Sequence, residues 1–237
     1  MNQAAFQKWL PASLFGKDAG KTTIVLMLAC LLPTIHRYFC SPGMERSFIA
    51  WRGDTSHAIG MFVSALALFG LAPMAVIWFW FRQPLSDYGI GIGQWRTWLP
   101  ATMILYVIIA VAILYPASKS EAMRAFYPFD RSATDAVSFL RTQLLRGVFF
   151  YSAWEFLFRG FILRGLNDAV GEWTAICIQT IPSCLWHIGF PAAEIFSSIP
   201  AGILFGVLTI QSRSILWAFL LHWLIGFTLD FFIVLFP

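Results

Sequence analysis

Charged residues are scarce in this chain of 237 residues: they make up 12%, whereas an ordinary soluble domain has about a quarter. The net charge is only +4, and the lysines and arginines are spread through loops and helix ends, which argues against a nucleic-acid partner. Hydrophobic residues make up 59% of the chain, and its mean hydropathy is +0.71. This balance predicts a polytopic membrane protein whose basic residues anchor at lipid headgroups.

Cysteine is also rare, and its spacing excludes the common metal and redox motifs. Cys30, Cys40, Cys177 and Cys184 form no CxxC or CxxH pattern, and three of them lie inside apolar runs. We therefore interpret them as small buried hydrophobic residues rather than as metal ligands or disulfide partners. The opening stretch, MNQAAFQKWLPASLFGKDAGK, lacks the apolar core and cleavage site of a signal peptide, so we expect the N-terminus to be retained.

Stretches without charge mark the membrane spans, because a spanning helix needs about 20 mostly apolar residues. Six such stretches, together with a charge-interrupted region at about 138–163, predict about seven spans. The charge-free stretches are 22–36, 55–81, 97–118, 173–193, 195–212 and 214–229. No loop is long enough for a separate soluble domain. The sequence therefore predicts one all-α bundle over residues 1–237, with N-terminal helices and loops in 1–137 and a polar, motif-bearing core in 138–237.

Four ionisable residues fall deep within the predicted spans of the C-terminal half: Glu155, Arg159, His187 and His222. Burying charge in hydrocarbon costs several kcal/mol unless the charge is paired or used. Glu155 and Arg159 are four residues apart, so they share a helix face and can form an ion pair that is purely structural. Each histidine alone could simply bond a carbonyl. Their joint presence beside a buried ion pair favours a functional site.

The rise of a helix predicts that two of these residues meet. If the helix of Glu155 ends near Arg164 and the last helix starts near Ser214 on the same side, Glu155 and His222 both lie roughly 12–14 Å from that surface. A cluster of one carboxylate, two imidazoles and one guanidinium is therefore geometrically allowed.

Other features of the C-terminal half have simpler explanations. Gly202 and Gly206 have the GxxxG spacing that lets two helices approach closely. Glu194 opens a predicted span, where a carboxylate suits the helix N-terminus, although it can instead face the polar cluster. Asp230 lies near the end of the last span.

The order of these residues resembles the membrane-embedded CAAX-protease and bacteriocin-processing (CPBP) family, whose members are often labelled abortive-infection proteins. Its signature is EExxxR, then FxxxH, then HxxxN or HxxxD, each on a transmembrane helix. Here WEFLFRG supplies Glu155 and Arg159, SCLWH supplies His187, and HWLIG supplies His222. The similarity covers residues from about 149 to 230.

Three positions depart from that signature. Trp154 stands at the first glutamate, Ser183 at the phenylalanine of FxxxH, and Gly226 at the asparagine or aspartate of the third motif. In relatives the first glutamate is usually assigned as the catalytic base. Because the next residue points about 100° away around a helix, Glu155 does not inherit that role automatically. Glu194 or Asp230 can compensate.

The resemblance implies an intramembrane endopeptidase, in a multi-pass protein of the bacterial inner membrane, that acts on membrane-anchored or hydrophobic peptides or proteins. In this hypothesis Glu155, alone or with His187, activates water, Arg159 orients Glu155, and His222 donates to the oxyanion. We expect no cofactor, with zinc held by Glu155, His187 and His222 as the alternative. Two other classes stay open. The departures at Trp154 and Gly226 favour a non-catalytic scaffold or partner-binding protein, and buried Glu, His and Arg also line proton-coupled transporters.

Overall fold

The computed structural model of the protein describes residues 17–41 and 53–236. These residues form helices and no strand, which confirms the predicted all-α fold. We number the helices in chain order: α1 Lys17–Cys40, α2 Thr55–Phe81, α3 Trp95–Ala117, α4 Glu121–Phe126, α5 residues 136–170, α6 Glu172–Trp186, α7 Ala192–Ser212 and α8 Leu216–Leu235. The prediction that the N-terminal stretch is not a signal peptide concerns residues 1–21. The first 16 of these residues lie outside the described residues.

Five helices are long and apolar enough to cross a membrane, namely α1, α2, α3, α7 and α8. They match five of the predicted spans closely. Helix α5 is interrupted by charge as predicted, and at about 1.5 Å per residue it is roughly 50 Å long. Helix α6 ends at Trp186 and not near residue 193, because a turn and Pro191 follow it. The predicted span at 173–193 is therefore too long.

The outer surface of the bundle is apolar, as a lipid-facing surface must be. Three consecutive aromatic residues of α2, Trp78, Phe79 and Trp80, are 66%, 76% and 73% exposed. Cys30 and Cys177 are exposed on the same kind of surface, so the prediction that the cysteines are buried is wrong for these two. Lipid solvates a small apolar side chain as well as a protein core does, and burial is not needed to shield it.

Helix α5 is the centre of the bundle. Every residue from 153 to 163 is buried, and α1, α2, α6 and α8 pack against this helix. Helix α8 lies close to it through Trp223, whose Nε1 donates to the Gln143 carbonyl at 3.0 Å. A Cβ at Gly147 would lie 2.5 Å from the same indole. Polar groups in this buried stretch of α5 thus have no access to bulk water and need partners inside the protein.

Helices α6 and α7 pack antiparallel through the predicted small residues. A Cβ at Gly202 would lie 2.8 Å from Thr180, and one at Gly206 would lie 3.0 Å from Ile176. The Gln179 side chain also donates to the Gly202 carbonyl at 2.9 Å. The GxxxG spacing therefore marks a close helix–helix contact, as predicted.

The connection between α4 and α5 is organised by Asp130, which is buried. Its carboxylate accepts hydrogen bonds from Thr55 at the start of α2, from Ser132, and from Thr142 on α5, at 2.6 to 2.8 Å. Burial raises the pKa of this carboxyl, but the hydrogen bonds from Ser132, Thr142 and Thr55 outweigh it, and the net pKa is lowered. The ionised carboxylate thus ties the loop to two helices.

Replacing Gly202 with valine should destabilise the bundle, because the new methyl groups would overlap Thr180 and overpacking costs about 1–3 kcal/mol. We expect the midpoint of thermal unfolding in detergent to fall by several degrees. Gly20→Ala is the matched control, since a Cβ there meets nothing within 4 Å. An unchanged midpoint in Gly202→Val would show that α6 and α7 do not approach this closely.

The hydrogen bonds of the Asp130 carboxylate should stabilise the protein in a way that is lost in acid. Its pKa in the folded protein lies below the usual 3.8, so the stabilisation is complete above that value and is lost as the pH falls through the folded pKa. Asp130→Asn should lower the unfolding midpoint at pH 7 and weaken its fall in acid. The same midpoints measured for Glu121→Gln, at an exposed carboxylate, should follow the wild type at every pH. Equal acid sensitivity in Asp130→Asn and wild type would contradict this role.

Candidate active site

The carboxylate of Glu155 lies inside the bundle with no exposed surface. Its Oε1 atom is 2.6 Å from Nδ1 of His222 on α8. A carboxylate only accepts, so Nδ1 of His222 carries the hydrogen and donates it. In the neutral imidazole, Nε2 is then the basic nitrogen. The structure brings Glu155 and His222 together, as the rise of the two helices predicts.

Arg159, one turn further along α5, forms the predicted ion pair with Glu155. Its Nε atom is 3.2 Å from Oε2, and its Nη1 donates to Oε1 at 3.4 Å. The Nε–H is not aligned with any acceptor among the described residues, so the contact to Oε2 is an ion pair and not a hydrogen bond. The guanidinium also lies 5.1 Å from the centroid of the Phe205 ring. Neither charge reaches solvent.

A cavity of about 160 Å³ lies beside the buried ion pair, and its wall includes Trp154, His187, Glu194 and His222. Glu155 is absent from that wall. Successive residues of a helix point about 100° apart, so the Trp154 indole faces the cavity while the carboxylate of Glu155 lies behind His222. This volume holds more than one water molecule, each of which takes about 30 Å³ in the liquid. Other parts of the wall are apolar: Ile113, Leu114, Ile225 and Leu229.

His187 is the first residue of the turn that follows α6. Its Nδ1 is 2.8 Å from the Ser183 carbonyl, which only accepts, so Nδ1 donates and Nε2 is the basic nitrogen of the neutral ring. The Trp154 indole packs edge-on against both histidines, with centroid distances of 5.5 Å to His187 and 6.2 Å to His222. Both rings are thereby held on the cavity wall with the same tautomer.

Glu194 lies in the first turn of α7, at the helix N-terminus, and also on the cavity wall. Glu194 therefore has both positions that the sequence suggested, at a helix N-terminus and facing the polar cluster. The Tyr127 hydroxyl donates to its Oε1 at 2.6 Å, and Nε2 of His187 is 3.9 Å from the same atom. Burial raises the pKa of Tyr127 well above its usual range, so this hydroxyl keeps its proton and remains a donor. Glu194 is the carboxylate that the cavity contains.

Asp230, which was predicted as a possible further site residue, has a different set of contacts. Its Oδ2 accepts from Arg146 at 2.8 Å and from Gln143 at 2.7 Å, and Asp230 does not line the cavity. The Arg146 guanidinium lies 4.6 Å from the centroid of the Phe129 ring. Asp230 thus joins α8 to α5 through a second buried ion pair, outside the cluster of histidines.

Two residues that sequence reasoning missed hold the end of α6 in place. Arg37 donates from Nε and Nη2 to the Ile188 carbonyl, at 3.1 and 2.6 Å. His36 accepts from Trp186 Nε1 at 3.2 Å through Nδ1, so its Nε2 donates to the Met61 carbonyl, also at 3.2 Å. Both residues lie at the end of the first apolar run, where polar residues are ordinary. The sequence therefore carries no signal of this contact.

Helix α5 changes its geometry around the site. Wide π-helical segments, Arg146–Tyr151 and Phe156–Arg164, flank one ordinary turn, Ser152–Glu155. A π turn contains an additional residue and shifts which side chains share a face, and such segments are frequent at functional sites. Tyr151 and Trp154, at the junction of these segments, both line the cavity.

Metal ligation does not fit the arrangement of these side chains. Within residues 17–41 and 53–236, no group of three or more His, Cys, Asp or Glu could hold a metal ion. The alternative zinc set of Glu155, His187 and His222 fails for a physical reason. Glu155 is bonded to His222 Nδ1 and paired with Arg159, so it does not face a common point with the two basic Nε2 atoms.

Breaking the buried ion pair on one side should be more harmful than removing it. Glu155→Gln leaves Arg159 charged and uncompensated, and we expect a loss of about 3–5 kcal/mol in the free energy of unfolding. The double variant Glu155→Gln/Arg159→Met should recover most of this loss in thermal or denaturant unfolding. The exposed Glu172→Gln serves as the control for charge loss alone. A double variant no more stable than Glu155→Gln would contradict the pairing.

Comparison with known families gives one match. The model of the type II CAAX prenyl endopeptidase Rce1-like family matches residues 136–228, from the start of α5 into α8. This range contains the buried ion pair and, on the cavity wall, His187, Glu194 and His222. No curated protein and no solved structure matches the chain.

The matched range agrees with the region that carries the CPBP-like motifs, so the resemblance is confirmed. The five apolar helices add that the protein is integral to a membrane. The chain is therefore an integral membrane protein whose residues 136–228 match the Rce1-like family model.

Proposed function

We propose that the protein is an intramembrane endopeptidase that hydrolyses a peptide bond in a membrane-anchored or hydrophobic peptide. The observation that carries this proposal is the cavity wall, on which His187, His222 and Glu194 meet inside a lipid-facing bundle. The match to CAAX-type endopeptidases supports peptide hydrolysis as the reaction. We further propose the inner membrane of a bacterium as its location.

A water molecule is the natural partner of this wall, because both neutral imidazoles offer a basic Nε2 and Glu194 offers a carboxylate. Nε2 of His187 and Oε1 of Glu194 are 3.9 Å apart. A water oxygen about 2.8 Å from each would see them at an angle of about 90°, close to its own donor angle. Such a molecule can donate to both groups at once.

His222 is the group that we assign to proton transfer. In the proposed step, the water keeps its hydrogen bond to Glu194 and turns its other hydrogen from His187 to Nε2 of His222. Nε2 takes this proton, and the water oxygen forms a bond to the carbonyl carbon of the substrate. The resulting imidazolium is stabilised by Glu155, whose carboxylate holds Nδ1 at 2.6 Å. When the carbon–nitrogen bond breaks, the same proton passes from Nε2 to the leaving amine. Glu155 and Arg159 then act through His222.

This assignment differs from the role of water activation that the sequence suggested for Glu155. A base must come within about 3 Å of the water that it deprotonates, directly or through one further water. Glu155 has no exposed surface, and its Oε1 is committed to His222. Glu194, whose side chain is 20% exposed to the cavity side, is better placed to orient the water.

The apolar part of the wall supports a hydrophobic substrate. Ile113 and Leu114 from α3 line the cavity together with Ile225 and Leu229 from α8. An acyl or prenyl chain attached to a peptide can lie against these side chains while its peptide bond reaches the histidines.

Purified protein in liposomes should cleave a fluorogenic farnesylated CAAX peptide, or a member of a panel of membrane-anchored peptides. His222→Ala and Glu194→Gln should each lower kcat/KM at least about 100-fold, because each removes a group that contacts the water. His187→Ala should have an effect in the same direction. Chromatography of the products gives the position of the cleaved bond.

Glu172→Gln is the control, since this carboxylate is exposed at the start of α6 and should leave kcat/KM unchanged. Cleavage that persists in both His222→Ala and Glu194→Gln would contradict the mechanism. A wild-type protein that cleaves no peptide of the panel would contradict the proposed function and favour a binding role.

A further inference from the structure

Peptide hydrolysis by this site, if the proposed function holds, also needs a donor for the negative charge that develops on the carbonyl oxygen. Most donors on the cavity wall are committed or shielded. The Tyr127 hydroxyl donates to Glu194, and Arg146 is paired with Asp230. Nε1 of Trp154 is shielded from solvent. The Ser197 hydroxyl donates to the Glu194 backbone carbonyl at 3.1 Å, which leaves the hydroxyl of Tyr151 on the wall.

Tyr151 is held beside His222 by direct ring contact. It lies at the end of the first π-helical segment of α5, is 3% exposed, and its ring centroid is 4.6 Å from that of His222. The Arg146 guanidinium lies 5.0 Å from the centroid of the Tyr151 ring. A positive charge beside a phenol favours the donation of its O–H to a group that is becoming negative.

The hydroxyl of Tyr151 occupies a particular place on α8. A Cβ built on Gly226 would overlap the hydroxyl oxygen, so no side chain at position 226 is compatible with Tyr151 in this conformation. Position 226 lies one helical turn from His222, on the same wall of the cavity. The absence of a side chain there gives the phenol its place next to the imidazole.

We propose that Tyr151 is a catalytic residue whose hydroxyl donates a hydrogen bond to the carbonyl oxygen of the scissile peptide. The hydroxyl stands where the third CPBP motif would place an asparagine or aspartate side chain, at Gly226. As the carbonyl carbon becomes tetrahedral, the Tyr151 O–H binds the oxyanion while His222 Nε2 holds the proton of the water. A polar group is thereby supplied from α5 to a wall formed by α8.

Tyr151→Phe isolates the hydroxyl from the ring, because the phenyl group keeps the packing against His222. In liposomes with the farnesylated CAAX peptide, or the cleaved member of the panel, we expect kcat to fall about 100- to 1000-fold, as for loss of one oxyanion donor. KM should stay within about threefold, because the bond forms chiefly in the transition state. Thermal unfolding of the variant should match the wild type.

Tyr106→Phe is the matched control. It removes a hydroxyl that is bonded to Thr228 on α8 at 2.7 Å and that lies outside the cavity wall, so kcat should stay within about threefold of the wild type. A wild-type kcat in Tyr151→Phe, together with an inactive His222→Ala, would overturn the role of Tyr151 and leave the proposed function standing. Absence of cleavage by the wild type would count against both.

Discussion

The charge of Glu155, which no water reaches, sets the arrangement of the central helices. An isolated carboxylate in such a place costs several kcal/mol, and only close partners can offset that penalty. Arg159 supplies the first partner from the same helix, and His222 supplies the second from α8. The pairing therefore fixes the distance and rotation of α8 relative to α5. The tautomer of His222 follows from the same contact, because Nδ1 must carry the hydrogen.

Further polar contacts hold the remaining walls of the cavity. The Arg146–Asp230 ion pair joins α5 and α8 a second time, on the side where Tyr127 and Phe129 cover the bundle. Arg37, on α1, donates a hydrogen bond to the Ile188 carbonyl in the turn after α6. Functional side chains need neighbours that lock their orientation, and here these neighbours come from helices and not from mobile loops.

Much of this arrangement could be predicted from local spacing, and the rest could not. Charge-free stretches locate five helices because lipid demands about 20 apolar residues in a row. The four-residue spacing of Glu155 and Arg159 predicts their pair for the same kind of reason, since it depends on one helix alone. Contacts such as Tyr127 with Glu194 join distant parts of the chain. The sequence of neither segment predicts this contact with the other.

The sequence of α5 alone does not predict which of its faces lines the cavity. A uniform helix correctly turns Glu155 away from the face of Trp154, but it does not reveal which of the two faces the cavity. In the structure the Trp154 indole packs against His187 and His222, so it takes the inner face. Water activation by Glu155 was therefore a reasonable hypothesis from the motif, and its burial in three dimensions is what argues against it.

The contact between Tyr151 and Gly226 also limits how related chains can vary. A residue with a side chain at the second position requires a smaller residue, or a different rotamer, at the first, because both would occupy the same volume. The two positions lie on different helices, 75 residues apart in the sequence. A substitution at one of them nevertheless requires a compensating change at the other. A pattern that inspects only the third motif would score the glycine as a loss. A pattern that scores both positions together would recognise a polar group supplied from the other helix.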